Sequence, residues 1–503
     1  MKPWQITLFI FLTITTLGVI SCFYPKDGVK VLGHTVNFPT LEEVLADDSE
    51  DIPELDLEEE GAERKIPLPT PFNKKKREAI IAEIAKEDSI KQKIVEEQID
   101  TIESFKETLA EAGHFYLPNG DITYFDNFFA KAASARSRGE VLRVLHYGDS
   151  QIEMDRMSGN LRTFFQSHFG GGGPGLVPVV QTVASYAVSQ SASGPFTLYS
   201  SYGDGARARG NYGLMVKCYR LTGNGTFTAN ASSNKRTDAR VKRFSRVTIL
   251  YNDRDGKFHA TLTDRRHGYD STSRSHGVGI QSMHWQTDSA TSSIRINMQG
   301  IADIYGIMID NGPGVSVDNI PLRSSSGNQF TLVTDSVLRK CYKYSNVGMI
   351  ILQFGGNSVP AIYSTKSIND YCNLMQNQIR RIRSVCPGAT ILFIGPSDMS
   401  TSYKGSMQTY KMLPQMIESL KDMCLKNNVA YWDLYEMMGG RNSMVAWVRK
   451  GWAGPDYIHF TTAGAQYAGK QLANNFATMY DLYKTRRSMG KEQFDNLWDA
   501  AER

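Results

Sequence analysis

Four residues of this 503-residue chain have the types that catalysis by a hydroxyl nucleophile needs: Ser150, Asn357, Asp456 and His459. A serine hydroxyl is a weak nucleophile until a base within hydrogen-bond reach takes its proton, and that base needs an acid to orient it. Ser150, His459 and Asp456 supply the three types. Asn357 follows Gly355-Gly356, and a side-chain amide there can donate to a developing oxyanion, as backbone amides can. Each residue also has an ordinary role open to it. Ser150 or Asp149 can cap a helix. Asp456 and His459 can complete a helix start, where acidic groups are favoured, and Gly355-Gly356-Asn357 can be a plain turn. Position favours chemistry: all of them fall just beyond apolar runs or at a helix start near the carboxyl terminus. Ligands of open parallel sheets bind beyond the carboxyl ends of the strands.

The apolar runs at 141–147, 304–309, 348–353, 390–394 and 429–432 read as buried strands. Amphipathic helices are expected between them, over 154–169, 368–385 and 411–427. That alternation predicts an α/β fold: a doubly wound, flavodoxin-like parallel sheet with helices on both faces. Residues 181–302 have another texture. Short alternating runs such as FTLYSSY, SRVTILYN and KFHATLTD are separated by Gly, Asn and Asp turns. They predict an inserted antiparallel β-sandwich or jelly-roll domain. The α/β domain is therefore expected in two parts, 123–180 and 303–485, followed by a tail over 486–503. The glycine run FGGGGPG at 169–175 lacks the Gly-Lys-Ser/Thr ending of a phosphate loop and reads as a hinge into the insert.

Residues 1–22 carry one lysine, an apolar run and then small residues, the make-up of a secretory signal. Val19-Ile20-Ser21-Cys22 resembles a bacterial lipobox, which makes Cys22 a candidate lipidation site; an uncleaved membrane anchor is the alternative. Either way the expectation is an exported bacterial cell-envelope protein tethered to a membrane. Residues 23–75 read as an acidic spacer and 76–122 as a charged helical segment with recurring isoleucines. Residues 42–63 hold twelve acidic side chains and no basic one, leaving 56 basic against 40 acidic elsewhere. Residues 205–275 alone hold fifteen Lys/Arg and five Asp/Glu. Such a basic stretch could meet a polyanionic glycan or lipid head groups, or simply be a solvated face; export disfavours nucleic acid. Cys218, Cys341, Cys372, Cys386 and Cys424 form no CxxC pair, so no structural zinc is expected and buried thiols are the default. No metal or cofactor is expected, and oligomeric state is not legible.

The order of the chemical residues resembles the SGNH (GDSL-like) hydrolases. "HYGDSQ", "QFGGNS" and "DYIHFTTAG" are similar to the first, third and last blocks of that family. For the second block Gly327 is the choice, with Gly314 and Ser324 as alternatives. The chain departs from the pattern at Ser358, where Asp often follows the Asn, and at Gln151, where the family name puts Leu. The resemblance covers roughly 123–180 and 303–485. It implies a serine esterase with Ser150 as nucleophile, His459 as base and Asp456 as its orienting acid. The amides of Ser150 and Gly327 and the Asn357 side chain would form the oxyanion hole. The placement of the insert is similar to that in peptidoglycan O-acetylesterases, which implies an O-acylated glycan as substrate. Tyr199, Tyr202, Tyr212, Tyr219 and Trp285 of the insert would then be sugar platforms or sandwich core. A carbohydrate O-acyltransferase using the same triad and a non-catalytic glycan-binding lipoprotein are the alternatives.

Overall fold

The computed structural model describes residues 29–31, 34–36, 78, 89–110, 113–203, 210–264 and 266–500. Cys22 and the expected signal or anchor lie outside the described residues, as does most of the acidic spacer. Within the spacer, β1 (Val29–Val31) and β2 (His34–Val36) pair as an antiparallel ribbon.

The α/β domain begins with a helix, Ser89–Ala110, followed by β3 (Phe115–Tyr116) and β4 (Val141–Gly148). The chain then leaves for nine antiparallel strands. These are β5 (Gly175–Val177), β6 (Val188–Ser193), β7 (Phe196–Ser200), β8 (Lys217–Ala231), β9 (Phe244–Asp253), β10 (His259–Asp264), β11 (Tyr269–Arg274), β12 (Gly279–Thr291) and β13 (Ser293–Asp310). It returns through β14 (Gly314–Pro321), β15 (Val347–Gln353) and β16 (Thr390–Ile394). A hairpin of β17 (Ser400–Tyr403) and β18 (Ser406–Thr409) precedes β19 (Ala430–Trp432).

The central sheet has the order β14-β4-β15-β16-β19-β3. Its first five strands are parallel, and β3 closes the edge antiparallel to β19. Numbered by the parallel strands alone this is the flavodoxin-like order 2-1-3-4-5, whose switch point lies between β4 and β15. Successive side chains of a strand point to opposite faces. Leu142, Val144, Met349, Ile351, Leu392 and Ile394 therefore bury against one helical layer. Leu145, Tyr147, Ile350, Leu352, Ile391 and Phe393 bury against the other. Helices cover both faces, as the near-continuous apolar strands require.

Several expectations are corrected. Residues 304–309 belong to β13 and pair antiparallel with β9; the parallel sheet takes its second strand from Gly314–Pro321 instead. An apolar run reads the same in a sandwich core as in a parallel sheet. The antiparallel region consequently spans Gly175–Asp310 rather than 181–302. It forms two layers around a core that includes Phe227, Ile249, Leu262, Trp285 and Ile296. β13 joins the layers, pairing with β8 and β10 in its first part and with β9 and β5 in its last, across a register shift between Ile304 and Gly306. The charged segment expected over 76–122 is not helical throughout, since it includes β3, and its helix Ser89–Ala110 buries Ile99 and Ile102 in the α/β core. The expected tail is a helix, Lys491–Ala500, whose Phe494 and Leu497 enter the same core. The glycine run is a packed junction rather than a hinge. A Cβ at Gly173 would sit 2.4 Å from the Ile309 carbonyl oxygen, and its φ is +82°.

Arg143 of β4 joins the two domains. It is buried and donates to Asp318 Oδ1 at 2.9 Å and to Ser316 Oγ at 3.1 Å, both in β14, and it also pairs with Asp310 at the end of β13. Asp318 Oδ1 in turn accepts the Leu176 amide of β5 at 2.9 Å. Removing one member of a buried ionic cluster strands the rest without compensation. Arg143→Ala is accordingly expected to destabilise the protein by about 3–5 kcal/mol, read as a lower urea midpoint. Arg143→Met in the Asp310→Asn/Asp318→Asn background should recover part of that loss.

Candidate active site

β4 ends at Gly148, and the chain enters one 3₁₀ turn, Ser150–Ile152. Asp149 Oδ1 accepts the Gln151 amide at 2.9 Å, so capping falls to Asp149 and leaves the Ser150 hydroxyl free. That hydroxyl lies 2.8 Å from His459 Nε2. His459 Nδ1 is 2.7 Å from Asp456 Oδ2, and the amides of Ile458 and His459 donate to Asp456 Oδ1 at 3.0 Å each. Burial pushes the Asp456 carboxyl up, but the hydrogen bonds from the side chain and amide of His459 and from the Ile458 amide outweigh it and hold the group below its ordinary value. An ionised Asp456 keeps the imidazole proton on Nδ1, so Nε2 presents its lone pair to Ser150. The loop bearing both residues is closed by the Gly454 amide donating to the His459 carbonyl at 2.8 Å. It ends where Thr461 caps the helix Thr462–Met489, the start expected from sequence.

Gln151, noted in the sequence only as a departure from Leu, and Arg156, not singled out there, tie this loop to the serine turn. Gln151 Nε2 donates to the Ile458 carbonyl at 2.6 Å, and its Oε1 accepts the Phe460 amide at 3.2 Å. Arg156 donates to the Ser150 and Phe460 carbonyls, each at 2.7 Å, and to the Glu153 carbonyl at 3.1 Å. The departure from Leu at position 151 was the available signal. A long amide beside the nucleophile has both a donor and an acceptor to offer a neighbouring backbone.

Asn357 lies in the 3₁₀ segment Gly356–Ala361 after β15. Its Nδ2 donates to the Ser325 carbonyl at 3.1 Å and to Asp149 Oδ2 at 3.3 Å. Burial, above all, pushes the Asp149 carboxyl up to about 6. The Gly327 assignment is not supported by the geometry. Its amide is buried and donates to Ser325 Oγ at 2.9 Å. Its missing side chain makes room for Phe354 and Met375, whose nearest atoms lie 2.9 Å from where a Cβ would stand. Gly314 is at the amino end of β14, paired with Val141, on the wrong side of the sheet. Ser324 is exposed, has a left-handed φ of +61°, and follows the strand end that pairs with Gly148. Among the described residues its amide donates to nothing, and of the three candidates it is the one with a free donor. The preceding Arg323 is fixed by a two-point ion pair to Glu153 at 2.6 and 2.8 Å, which ties this loop to the serine turn.

Ser150, Asn357 and His459 line one open pocket of about 170 Å³ with Phe354, Pro360, Pro396, Met399 and Ile458 among its walls. The wall that carries Pro396 and Met399 is anchored by Asp398, which is fully buried. It accepts the Thr409 hydroxyl and the Met444 amide, both at 2.8 Å. Burial raises its carboxyl to about 6 against these bonds.

Two expectations follow from this geometry. Gln151→Leu should lower kcat on an aryl acetate about 10- to 100-fold, because reactive groups misplaced by about 1 Å lose about that much, with little change in KM. Since Asp398 has a raised pKa in the folded state, the folded protein binds that proton more tightly than the unfolded chain does. Its contribution to stability grows as the pH falls through about 6 toward the ordinary carboxylate range, and is lost above about 6. The stability advantage of Asp398→Asn over wild type should therefore shrink between pH 7 and pH 4.5 in thermal unfolding.

No protein-family model matches the chain, and no curated protein matches it in sequence. Its structure is similar to a solved peptidoglycan O-acetylesterase, with a TM-score of 0.58 and 22% identity over 71% of this chain and 96% of that one. A family two carbohydrate esterase from Cellvibrio japonicus aligns over 58% of this chain and 99% of that one, at 9% identity and a TM-score of only 0.24. The interrupted α/β architecture described above is thus the fold of the peptidoglycan O-acetylesterase.

Proposed function

We propose that the chain is a serine esterase that removes a small acyl group, acetyl above all, from a carbohydrate of the cell envelope. The observation that carries this reading is the relay from Ser150 through His459 to Asp456, set at the switch point of the sheet and opening onto the pocket. In the reaction, Ser150 Oγ attacks the ester carbonyl while His459 Nε2 takes its proton and passes it to the leaving sugar oxygen. Water, deprotonated by the same imidazole, then releases the acid from the acyl-serine. The Asn357 amide and backbone amides of the serine turn and the Ser324 loop would stabilise the oxyanion. A pocket of about 170 Å³ is close in size to an engineered cavity that holds benzene, room enough for an acetyl group. The fold shared with a peptidoglycan O-acetylesterase favours an O-acetylated glycan, peptidoglycan first. The apolar amino-terminal run with Cys22 favours export and a membrane tether.

Acetate release from O-acetylated peptidoglycan and from acetylated plant glycans tests this directly. Wild type is expected to release acetate and to be labelled by a fluorophosphonate, and Ser150→Ala to do neither. Asn357→Ala should lower kcat about 10²- to 10³-fold while KM changes little. Turnover of an aryl acetate without release from any glycan would leave an esterase but remove the glycan.

A further inference from the structure

The insert meets the α/β domain around a cavity of about 50 Å³ that shares no lining residue with the Ser150 pocket. Asp155, Arg162 and Asn319 line it from the α/β domain, and Gln190, Lys217 and the segment 181–185 line it from the insert. The aromatic side chains of the insert are not what faces a ligand. Tyr212, Tyr219 and Trp285 are buried, and the Arg220 guanidinium lies 4.7 Å over the Tyr199 ring. Several arginines of the insert are held by partners: Arg220 and Arg254 meet Asp303, and Arg240 meets Asp238. Lys217 is different. Among the described residues nothing accepts a hydrogen bond from its ammonium, and no charge acts on it. Burial alone pushes its pKa down to about 8.

The other charged groups of the cavity are matched to each other. Asp155 Oδ1 accepts Arg162 Nη2 at 2.6 Å, and its Oδ2 accepts the Ser185 hydroxyl at 2.6 Å. Two cations against one carboxylate leave the lining with one positive charge. A second donor in the lining is also free. Asn319 Oδ1 accepts the Ser158 hydroxyl at 3.0 Å, while its NH2 group donates to nothing among the described residues. Lys217 is held in place at a cost to the backbone. Val216, just before it, has a left-handed φ of +52°, which a β-branched residue rarely adopts. The amide and the hydroxyl of Ser201 both donate to the Val216 carbonyl, at 3.1 and 3.0 Å. A covered ammonium without a partner disfavours the folded state, and an apolar side chain of similar length would avoid that penalty. A surface lysine escapes it by extending its amine into bulk water, whereas the lowered pKa of Lys217 is that of an amine short of water.

We propose that this cavity is a binding site for a single carboxylate, with the Lys217 ammonium as its counter-charge. One uncompensated positive charge matches a monoanion better than a phosphate dianion. A single water needs about 10–15 Å³, so about 50 Å³ has room for a carboxylate group. The carboxylate belongs either to a free small acid, acetate included, or to an acidic glycan. The site stands independently of the esterase reading of Ser150.

NMR of the full chain carrying ¹³C at the lysine ε carbons reads the site directly, with the Lys217 signal assigned by its loss in Lys217→Met. Sodium acetate or trigalacturonate should shift that signal saturably, and acetamide and galactose should not. The pKa read from the same signal should rise from about 8 toward the ordinary lysine value of about 10.4, because an opposite charge favours the ammonium. A shift with acetate identifies a free acid as sufficient, and a shift with trigalacturonate alone identifies an acidic glycan; both support the site. Lys217→Met should unfold at a urea midpoint no lower than that of wild type, since it removes an unpaired charge and keeps most of the stem. No saturable shift with either acid, or an equal shift with acetamide, would overturn the site. So would a lower urea midpoint for Lys217→Met, which would reveal a structural partner for the ammonium. None of these readouts uses turnover, so a failure of the esterase reading leaves the test intact.

Discussion

The site depends on the alignment of strand ends. Pro321, Gly148, Gln353 and Ile394 end β14, β4, β15 and β16, and the parallel register sets Pro321 beside Gly148, Gly148 beside Gln353, and Gln353 beside Ile394. Four loops then leave from one end of the sheet: those after β4, β15 and β16 line the pocket, and the one after β14 is tied to the serine turn through Arg323 and Glu153. A slip of one residue in any pair would turn that strand's apolar set over to the other layer, so register and packing protect the site together. The fifth part, the Asp456–His459 loop, leaves no strand. It is brought in by Gln151 and Arg156 through bonds to its backbone, and this is why a half-exposed loop can hold a hydrogen bond of 2.8 Å to the serine.

The insert is attached at this same framework. β4 and β14 contribute Arg143, Ser316 and Asp318, and the insert contributes Asp310 and the Leu176 amide. Charges with no access to water are stable only when their partners are fixed, so the cluster defines one arrangement of β13 and β5 against β4 and β14. The segment that departs for the insert and the strand that returns from it are held within one polar network. The Gly170–Gly175 run lets the two chain crossings lie close together.

Much of this is legible in the chain. Buried parallel strands make apolar runs that periodicity finds, and β4, β15, β16 and β19 all lie close to their expected places. The expected contact between Ser150, Asp456 and His459 is present. β14 escapes such a reading because Ser316, Asp318 and Asn319 interrupt its apolar pattern. Their partners are Arg143, the Leu176 amide and Ser158, distant in sequence, so no local window reveals why polar residues belong there. Its place goes instead to 304–309, which is apolar for a different core. Gly327 is favoured by its residue type, yet the donor required is only a backbone amide, and the free one belongs to a serine whose left-handed φ has no sequence signature. The burial of Ile99, Ile102, Phe494 and Leu497 is likewise invisible in sequence, since two charged amphipathic helices gain a core only by finding each other and the domain.

The exposure of the relay bears on the proposed reaction, in which an acyl-serine has to be resolved. His459 and Asp456 keep 41% and 47% of their side-chain surface in contact with solvent. Charge interactions at such a site are screened, so orientation must come from hydrogen-bond geometry more than from a low dielectric. Asp456 has that geometry: three donors converge on its two oxygens. An open imidazole also gives water direct access to the base that must deprotonate it. An acyltransferase has to keep water from that position while a sugar hydroxyl arrives, which requires a closing element or a tightly filled acceptor site. His459 is partly exposed and lines the open pocket. For the proposed acyl-enzyme, so open a site favours hydrolysis.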